Sequence, residues 1–328
     1  MFKKISLCCL IILALVSCSQ NKTTVQPKTE LQSIKLGVGY VPNIQFASYY
    51  VAQAKGFFAE NGLEVSLEHG YENDFVVLTA TGERLFAVAS GDQVILARSQ
   101  GLPIVYVMKW YQRFPVAVMT LKSSGITTPQ QLMGHSVGTP VLSGASYVGW
   151  KALAFANKLD ETAIKLDVIG YAQAEAVTTK KVDASVVYIA NEPVQLTKQG
   201  IEVNLFQVSD YIDLVSNGLV TNEKIIKEQP DLVRRMVKGS LQGLQYTIDH
   251  PDEAFQISRK YIPDMTDANA PTQRAVLEAS ITMWRSDKLG LSNQQAWADS
   301  VKFMQATNLI KSDIEVNKLY TNEFVENK

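Results

Sequence analysis

Residues 19–328 of this chain contain no cysteine; the three that exist stand at Cys8, Cys9 and Cys18. A disulfide, a thiolate metal site and a cysteine nucleophile are thereby excluded from the body. Histidine is scarce too. His69, His135 and His250 are scattered, with no H-E-x-x-H pattern or carboxylate–histidine cluster around them, which argues against a metal enzyme. There is no basic excess: the formal net charge is −1, and loss of a leader carrying Lys3 and Lys4 takes it to −3. Phosphate binding needs a basic surface, so nucleic acid is not an expected partner. The dinucleotide fingerprint is absent as well, because Pro42 stands where the third glycine after Gly37-x-Gly39 would be. No cofactor and no bound metal are expected.

What is present begins with length. A chain of 328 residues exceeds one ordinary compact domain, so two lobes of roughly 100–200 residues are expected. Apolar residues make up 46% and charged residues 19%, a globular composition. Lys3 and Lys4 precede an apolar run, Ile5–Val16, broken only by Ser6. The run falls short of the roughly 20 residues that span a bilayer and reads as a secretory signal peptide over residues 1–17. It ends in Leu15-Val16-Ser17-Cys18, which resembles the lipobox of bacterial lipoproteins. That resemblance implies cleavage before Cys18 and a lipid on its sulfur. Acyl chains contribute about 0.8 kcal/mol per buried methylene, so an anchor on the extracytoplasmic face of the cell membrane is expected. Residues 18–33 are polar and aperiodic, and read as a lipidated flexible tether reaching about 20 Å as a coil.

From Ile34 the pattern alternates between strand and helix. Ile34–Tyr40 alternates as a strand; Phe46, Tyr49, Tyr50, Ala54, Phe57 and Phe58 recur at helical spacing, and Asn61-Gly62 supplies a left-handed stop. Further strands are expected over 63–68, 84–90, 104–108, 115–121 and 136–138, and near 166–169 and 184–188. Helices are expected over 91–100 and 143–156. Thr128-Pro129-Gln130-Gln131 has the form of a capped helix start, as does Ser292 with Gln295. After Ser216 the chain reads as mostly helical: 222–249, 252–260, 270–285 and 293–306. The class is α/β, with doubly wound sheets.

Several segments carry a family resemblance. They are Gly39-Tyr40-Val41-Pro42-Asn43, then Lys55-Gly56-Phe57-Phe58-Ala59-Glu60-Asn61-Gly62, Gly101-Leu102-Pro103-Ile104, and Gly125 through Gly138. In this order, over residues 34–328, they resemble the substrate-binding proteins of bacterial importers for thiamine precursors, alkanesulfonates and nitrate-like solutes. The resemblance implies a type II periplasmic-binding-protein fold of two lobes, each a doubly wound sheet flanked by helices. Lobe 1 would hold 34–121 plus 216–328, and lobe 2 would hold 122–215. Within the family, the segments Tyr106–Val118, Gly144–Trp150 and Asn191–Val194 resemble those of proteins proposed to import riboflavin. The cysteine-rich motif of pyrimidine-synthesising relatives is absent.

The expected cleft would take its lining from element ends. Tyr40 and Asn43 lie between the first strand and helix; Asn43 could contact a ligand or merely cap the helix. Ser90 and Asp92 open the next helix, with the same two readings for Asp92. Trp110 and Tyr111, flanked by Lys109 and Arg113, could stack a flat ring, or pack a hinge. Ser143, Gly144 and Ala145 are small residues at a helix start that would let a ligand approach backbone N–H groups, with Tyr147 on the same turn. Tyr188, Asn191 and Glu192 follow a lobe-2 strand; Glu192 could accept from ligand N–H or hydroxyl groups, or be an exposed charge that meets a transporter.

The expectation is a monomeric, non-enzymatic binding protein. It would capture a heteroaromatic vitamin, riboflavin in its most specific form, and deliver it to an ABC permease and its ATPase. A thiamine pyrimidine precursor or an alkanesulfonate is the alternative cargo, and an enzyme of the same fold the alternative class.

Overall fold

The computed structural model of the chain describes residues 30–326. The expected signal peptide, Cys18 and most of the tether lie outside the described residues. Regular structure starts at β1 (Gln32–Val38), two residues inside the segment expected as tether. Its buried Ile34, Leu36 and Val38 alternate with the exposed Ser33 and Lys35 at its outer end. The aromatic helix is two pieces, α1 (Ala47–Ala54) and α2 (Phe57–Glu60), parted by Gly56 at φ 79°, where the left-handed turn interrupts the ladder.

β2 (Leu63–His69), α3 (Glu72–Thr81), β3 (Phe86–Ser90), α4 (Gly91–Ser99) and β4 (Ile104–Lys109) follow. Of these, α3 has no counterpart in the expected pattern. Then come β5 (Val116–Leu121), β6 (Ser136–Thr139), α5 (Gly144–Ala156), β7 (Lys165–Val168), α6 (Gln173–Thr178), β8 (Ala184–Tyr188), α7 (Glu192–Lys198) and β9 (Val203–Gln207). A last strand, β10 (Asn217–Asn222), precedes α8 (Glu223–Glu228), α9 (Pro230–Asp249), α10 (Pro251–Ser258), α11 (Ala270–Trp284), α12 (Gln294–Ala306) and α13 (Glu323–Glu326). The helix expected over 222–249 breaks at Gln229, because a residue before proline is driven out of the helical region. The cap of α12 is Asn293, which accepts from the Gln295 N–H at 2.8 Å, while Ser292 accepts from Trp297 Nε1 at 2.8 Å.

Two five-stranded sheets result, in the orders β2-β1-β3-β10-β4 and β7-β6-β8-β5-β9. β1 runs parallel to β2 and β3, and β6 parallel to β7 and β8. One antiparallel strand inserts in each: β10 between β3 and β4, and β5 between β8 and β9. This corrects the expected boundary at residue 121. β5 belongs to the second sheet, so the chain crosses before it, through Trp110–Pro115. A single apolar cluster runs through both sheets, from Val94 and Tyr106 to Phe114, Val118, Trp150 and Trp297. From Leu31 onward the chain is accordingly one compact unit. Among the described residues no helix is long and apolar enough to cross a membrane.

Candidate functional site

In an open α/β sheet, the crevice forms where neighbouring parallel strands send their connections to opposite sides. Here β1 lies between β2 and β3, and β6 lies between β7 and β8, so each sheet has such a point. The carboxyl ends of these strands border a cavity of about 330 Å³. That volume lies at the lower end of the roughly 300–1,000 Å³ typical of small-molecule sites. From the first sheet, Gly39 and Tyr40 follow β1, and Tyr71, Glu72, Asn73 and Asp74 follow β2. From the second, Pro140, Val141 and Ser143 through Ser146 follow β6, Tyr171 and Gln173 follow β7, and Tyr188, Asn191 and Glu192 close β8. The crossing segments add Trp110, Tyr111 and Asn217.

Close approach is built into this edge. A Cβ on Gly39 would lie 2.6 Å from Glu72 Cβ, so only glycine lets α3 start against the end of β1. Gly144 opens α5 at φ 70°, Ser143 makes no side-chain cap, and Ser143 through Ser146 line the cavity, so the uncapped start of that helix lies at its wall.

The aromatic residues divide into two groups. Trp110 is 2% exposed and stacks on Phe46 at 5.8 Å and on Trp284 at 5.6 Å, with Tyr49 and Tyr111 at its edges. Two stacked and two edge-on neighbours pack it tightly, which favours the hinge-packing reading of Trp110 while leaving it in the cavity wall. Tyr171 is 47% exposed and Tyr71 is 61% exposed, both at the cavity. Tyr171 meets Tyr40 edge-on at 4.8 Å, joining the second sheet's edge to the first. Tyr188 reaches across as well, its hydroxyl 3.4 Å from Asn217 Nδ2.

The carboxyl groups are held by short bonds. Glu72 Oε1 accepts from the Ser90 N–H at 2.6 Å and from the Ser90 hydroxyl at 2.7 Å. Burial, and secondly the neighbouring Asp92, push Glu72 up to about 7. Asp92 itself is pushed to about 6 by burial; one oxygen accepts from Gln93 at 2.6 Å and the other has no partner. Glu192 accepts from the Tyr188 N–H at 3.1 Å and from Asn191 Nδ2 at 3.0 Å, and burial raises it to about 7. At 6% exposure it is not the exposed docking charge of the alternative reading. Trp110 Nε1, Gln173 Oε1 and Asn217 Oδ1 are buried without a partner within the protein.

Of the residues singled out from the sequence, Tyr40, Trp110, Tyr111, Ser143, Gly144, Ala145, Tyr188, Asn191 and Glu192 line the cavity. Four do not. Asn43 caps a short 3-10 turn, accepting from the Gln45 N–H at 3.0 Å. Ser90 and Asp92 are buried behind Glu72, and Tyr147 turns toward the shared apolar core. The cations beside the aromatic segment are also outside the lining: Arg113 pairs with Asp210 at 2.6 Å. Missed were Tyr71, Glu72, Asn73, Asp74, Tyr171, Gln173 and Asn217. The run Tyr71-Glu72-Asn73-Asp74 directly after a strand carried the signal for a polar strand-to-helix turn; Tyr171, Gln173 and Asn217 carried none. Among the described residues no group of three His, Cys, Asp or Glu side chains could hold a metal ion.

Two α/β sheets facing each other across such a cavity form the fold of periplasmic binding proteins. The aliphatic sulphonate binding protein SsuA of Escherichia coli matches it with a TM-score of 0.71 over 88% of this chain and 91% of that one, at 14% identity. The chain belongs to the NMT1/THI5-like family, whose model matches residues 43–254. It is 37% identical to the riboflavin-binding protein RibY of Chloroflexus aurantiacus, over 96% of this chain and 95% of that protein. A formylaminopyrimidine-binding protein of Halalkalibacterium halodurans is 27% identical over 95% of this chain and 96% of that protein.

The two aromatic groups should respond differently to truncation. Trp110→Ala removes the centre of a packed stack and should cost about 3–5 kcal/mol in urea unfolding. Tyr171→Ala, at the mouth, should cost less than about 1 kcal/mol. Equal losses would contradict the division.

A second expectation concerns pH. Glu192 and Glu72, ordinarily near 4.5, are raised to about 7, so the folded chain binds more protons between those values. Their contribution to stability is therefore full at low pH and is lost as pH rises through about 7. His69, lowered by burial, acts in the opposite sense, so the measurement is a difference. The stability gap between wild type and Glu192→Gln should shift in favour of the variant between about pH 5 and pH 8; a gap independent of pH would refute the assignment.

Proposed function

We propose that the chain is the extracytoplasmic solute-binding component of an ABC importer, taking a neutral heteroaromatic vitamin, riboflavin in its most specific form, into the cavity between the two sheets. The observation that carries this reading is the character of the wall. Tyrosines stand on both sheets, carboxyl and amide groups lie between them, and none of the lining side chains is lysine or arginine. Flat rings gain from aromatic contact, and N–H and hydroxyl groups gain from such acceptors. A sulfonate gains from cations and helix N-termini; the start of α5 is present, but no cation is and carboxyl groups stand in the lining, so that alternative is disfavoured. Kinship to a riboflavin-binding protein at 37% identity supports the same cargo. The relative that binds a formylaminopyrimidine keeps a one-ring ligand as the second reading, though a single ring would leave part of the cavity to water.

Delivery to a permease with its ATPase, a monomeric state and the absence of chemistry complete the proposal. The signal peptide 1–17 would be removed and Cys18 acylated, with the following residues as tether. The lobes would be 34–115 plus 216–328 and 116–215, a division that the membership of β5 in the second sheet supports.

Protein lacking residues 1–18 should quench riboflavin fluorescence with a sub-micromolar dissociation constant, more than about 8 kcal/mol of binding. Unchanged emission at saturating protein, with a formylaminopyrimidine binding in its place, would transfer the assignment to the second reading. Cys18→Ala in the full chain should move the protein from the membrane fraction to the soluble fraction; retention in the membrane would refute acylation at that residue.

A further inference from the structure

The cavity wall carries carboxyl and amide oxygens with hydrogen-bonding capacity to spare. Glu72, which lines the cavity, commits Oε1 to the Ser90 N–H and hydroxyl, and neither of those bonds uses Oε2. Gln173 and Asn217, both more than nine-tenths buried, line the same space with amide oxygens that have no partner within the protein. A buried acceptor left without a hydrogen is costly, so these atoms mark where a bound molecule must donate. The charged side chains of the lining are Glu72, Asp74 and Glu192, all of one sign, and Asp92 lies close to Glu72. Donors share the same lining: the start of α5, which has no side-chain cap, and Trp110 Nε1 and Gln45 Nε2, both buried without a partner within the protein. A helix amino end equals about half a positive charge, enough for a ring carbonyl but not for a dianion among carboxylates.

We propose that this acceptor wall, with Glu72 at its centre, selects the hydroxyl-bearing neutral form of the ligand and rejects its phosphate ester. The inference rests on the heteroaromatic-vitamin reading above. An alcohol donates its hydrogen to Glu72 Oε2 or to an amide oxygen. A phosphate dianion offers only acceptors and brings like charge against Glu72 and Glu192, so it is excluded twice over.

The test compares riboflavin with riboflavin 5′-phosphate at pH 8, by fluorescence titration of the tether-free protein. Riboflavin should bind at least 100-fold more tightly. Glu72→Gln, which keeps the shape and removes the charge, should weaken riboflavin about tenfold and reduce the discrimination to below tenfold. A wild-type ratio below tenfold overturns the inference, as does a folded Glu72→Gln variant with an unchanged ratio. Thermal unfolding checks that the variant folds; if it does not, the wild-type ratio alone decides. If riboflavin itself fails to bind, the flavin reading falls, and the same comparison with 4-amino-5-hydroxymethyl-2-methylpyrimidine and its phosphate decides the inference separately.

Discussion

The packing of Trp110 between Phe46 and Trp284 is the contact on which the site depends. Trp110 opens the segment by which the chain leaves the first sheet for the second. Its backbone N–H and that of Tyr111 both bond to the Asn217 carbonyl, at 3.0 and 3.1 Å, where the chain returns. The outgoing and returning strands are thus tied together at one point. The aromatic stack then fixes that point against Phe46, at the end of the short 3-10 turn before α1, and against Trp284 of α11. The cavity wall is consequently a by-product of how the crossing is anchored, and Trp110 is buried because it carries the crossing.

Around this anchor the chemistry is one-sided. Strand ends supply tyrosines from both sheets, while the groups between them are carboxyls and amides whose oxygens accept. Burial raises Glu72 and Glu192 to about 7, so each is neutral below that pH and charged above it, and the cost of burying the charge falls as they protonate. Short bonds from Ser90, Asn191 and the Tyr188 N–H orient them. An acid so placed can accept from a neutral ligand when ionised, yet does not demand a cation.

Much of this was legible in the residues. The alternation of strand and helix, the small residues that open α5 and the run Tyr188–Glu192 located three of the contributing edges. Three other features were hidden for physical reasons. α3 begins with the polar run Glu72-Asn73-Asp74 and has no apolar stripe at its start, so periodicity passes it by. β10 is a short, fully buried strand, which periodicity cannot distinguish from a helix segment. Asn43, Ser90 and Asp92 sit at the right junctions in the sequence but turn into caps and support, because a strand-to-helix turn has both an inner and an outer side.

What the sequence determined by itself is the class: two α/β sheets, a cysteine-free body, strand ends rich in tyrosine and small residues, and family kinship. Kinship rests on the resemblance of whole segments; the rest follows from local periodicity, turn chemistry and residue inventory, all of which act over short stretches of chain. Only the tertiary structure decided which aromatic rings line the cavity, that Trp110 is packed in an aromatic stack, and that Glu72, Gln173 and Asn217 meet in one wall. Those three residues are separated by about a hundred positions and about forty. Nothing short of two sheets closing on a shared apolar core brings their oxygens together.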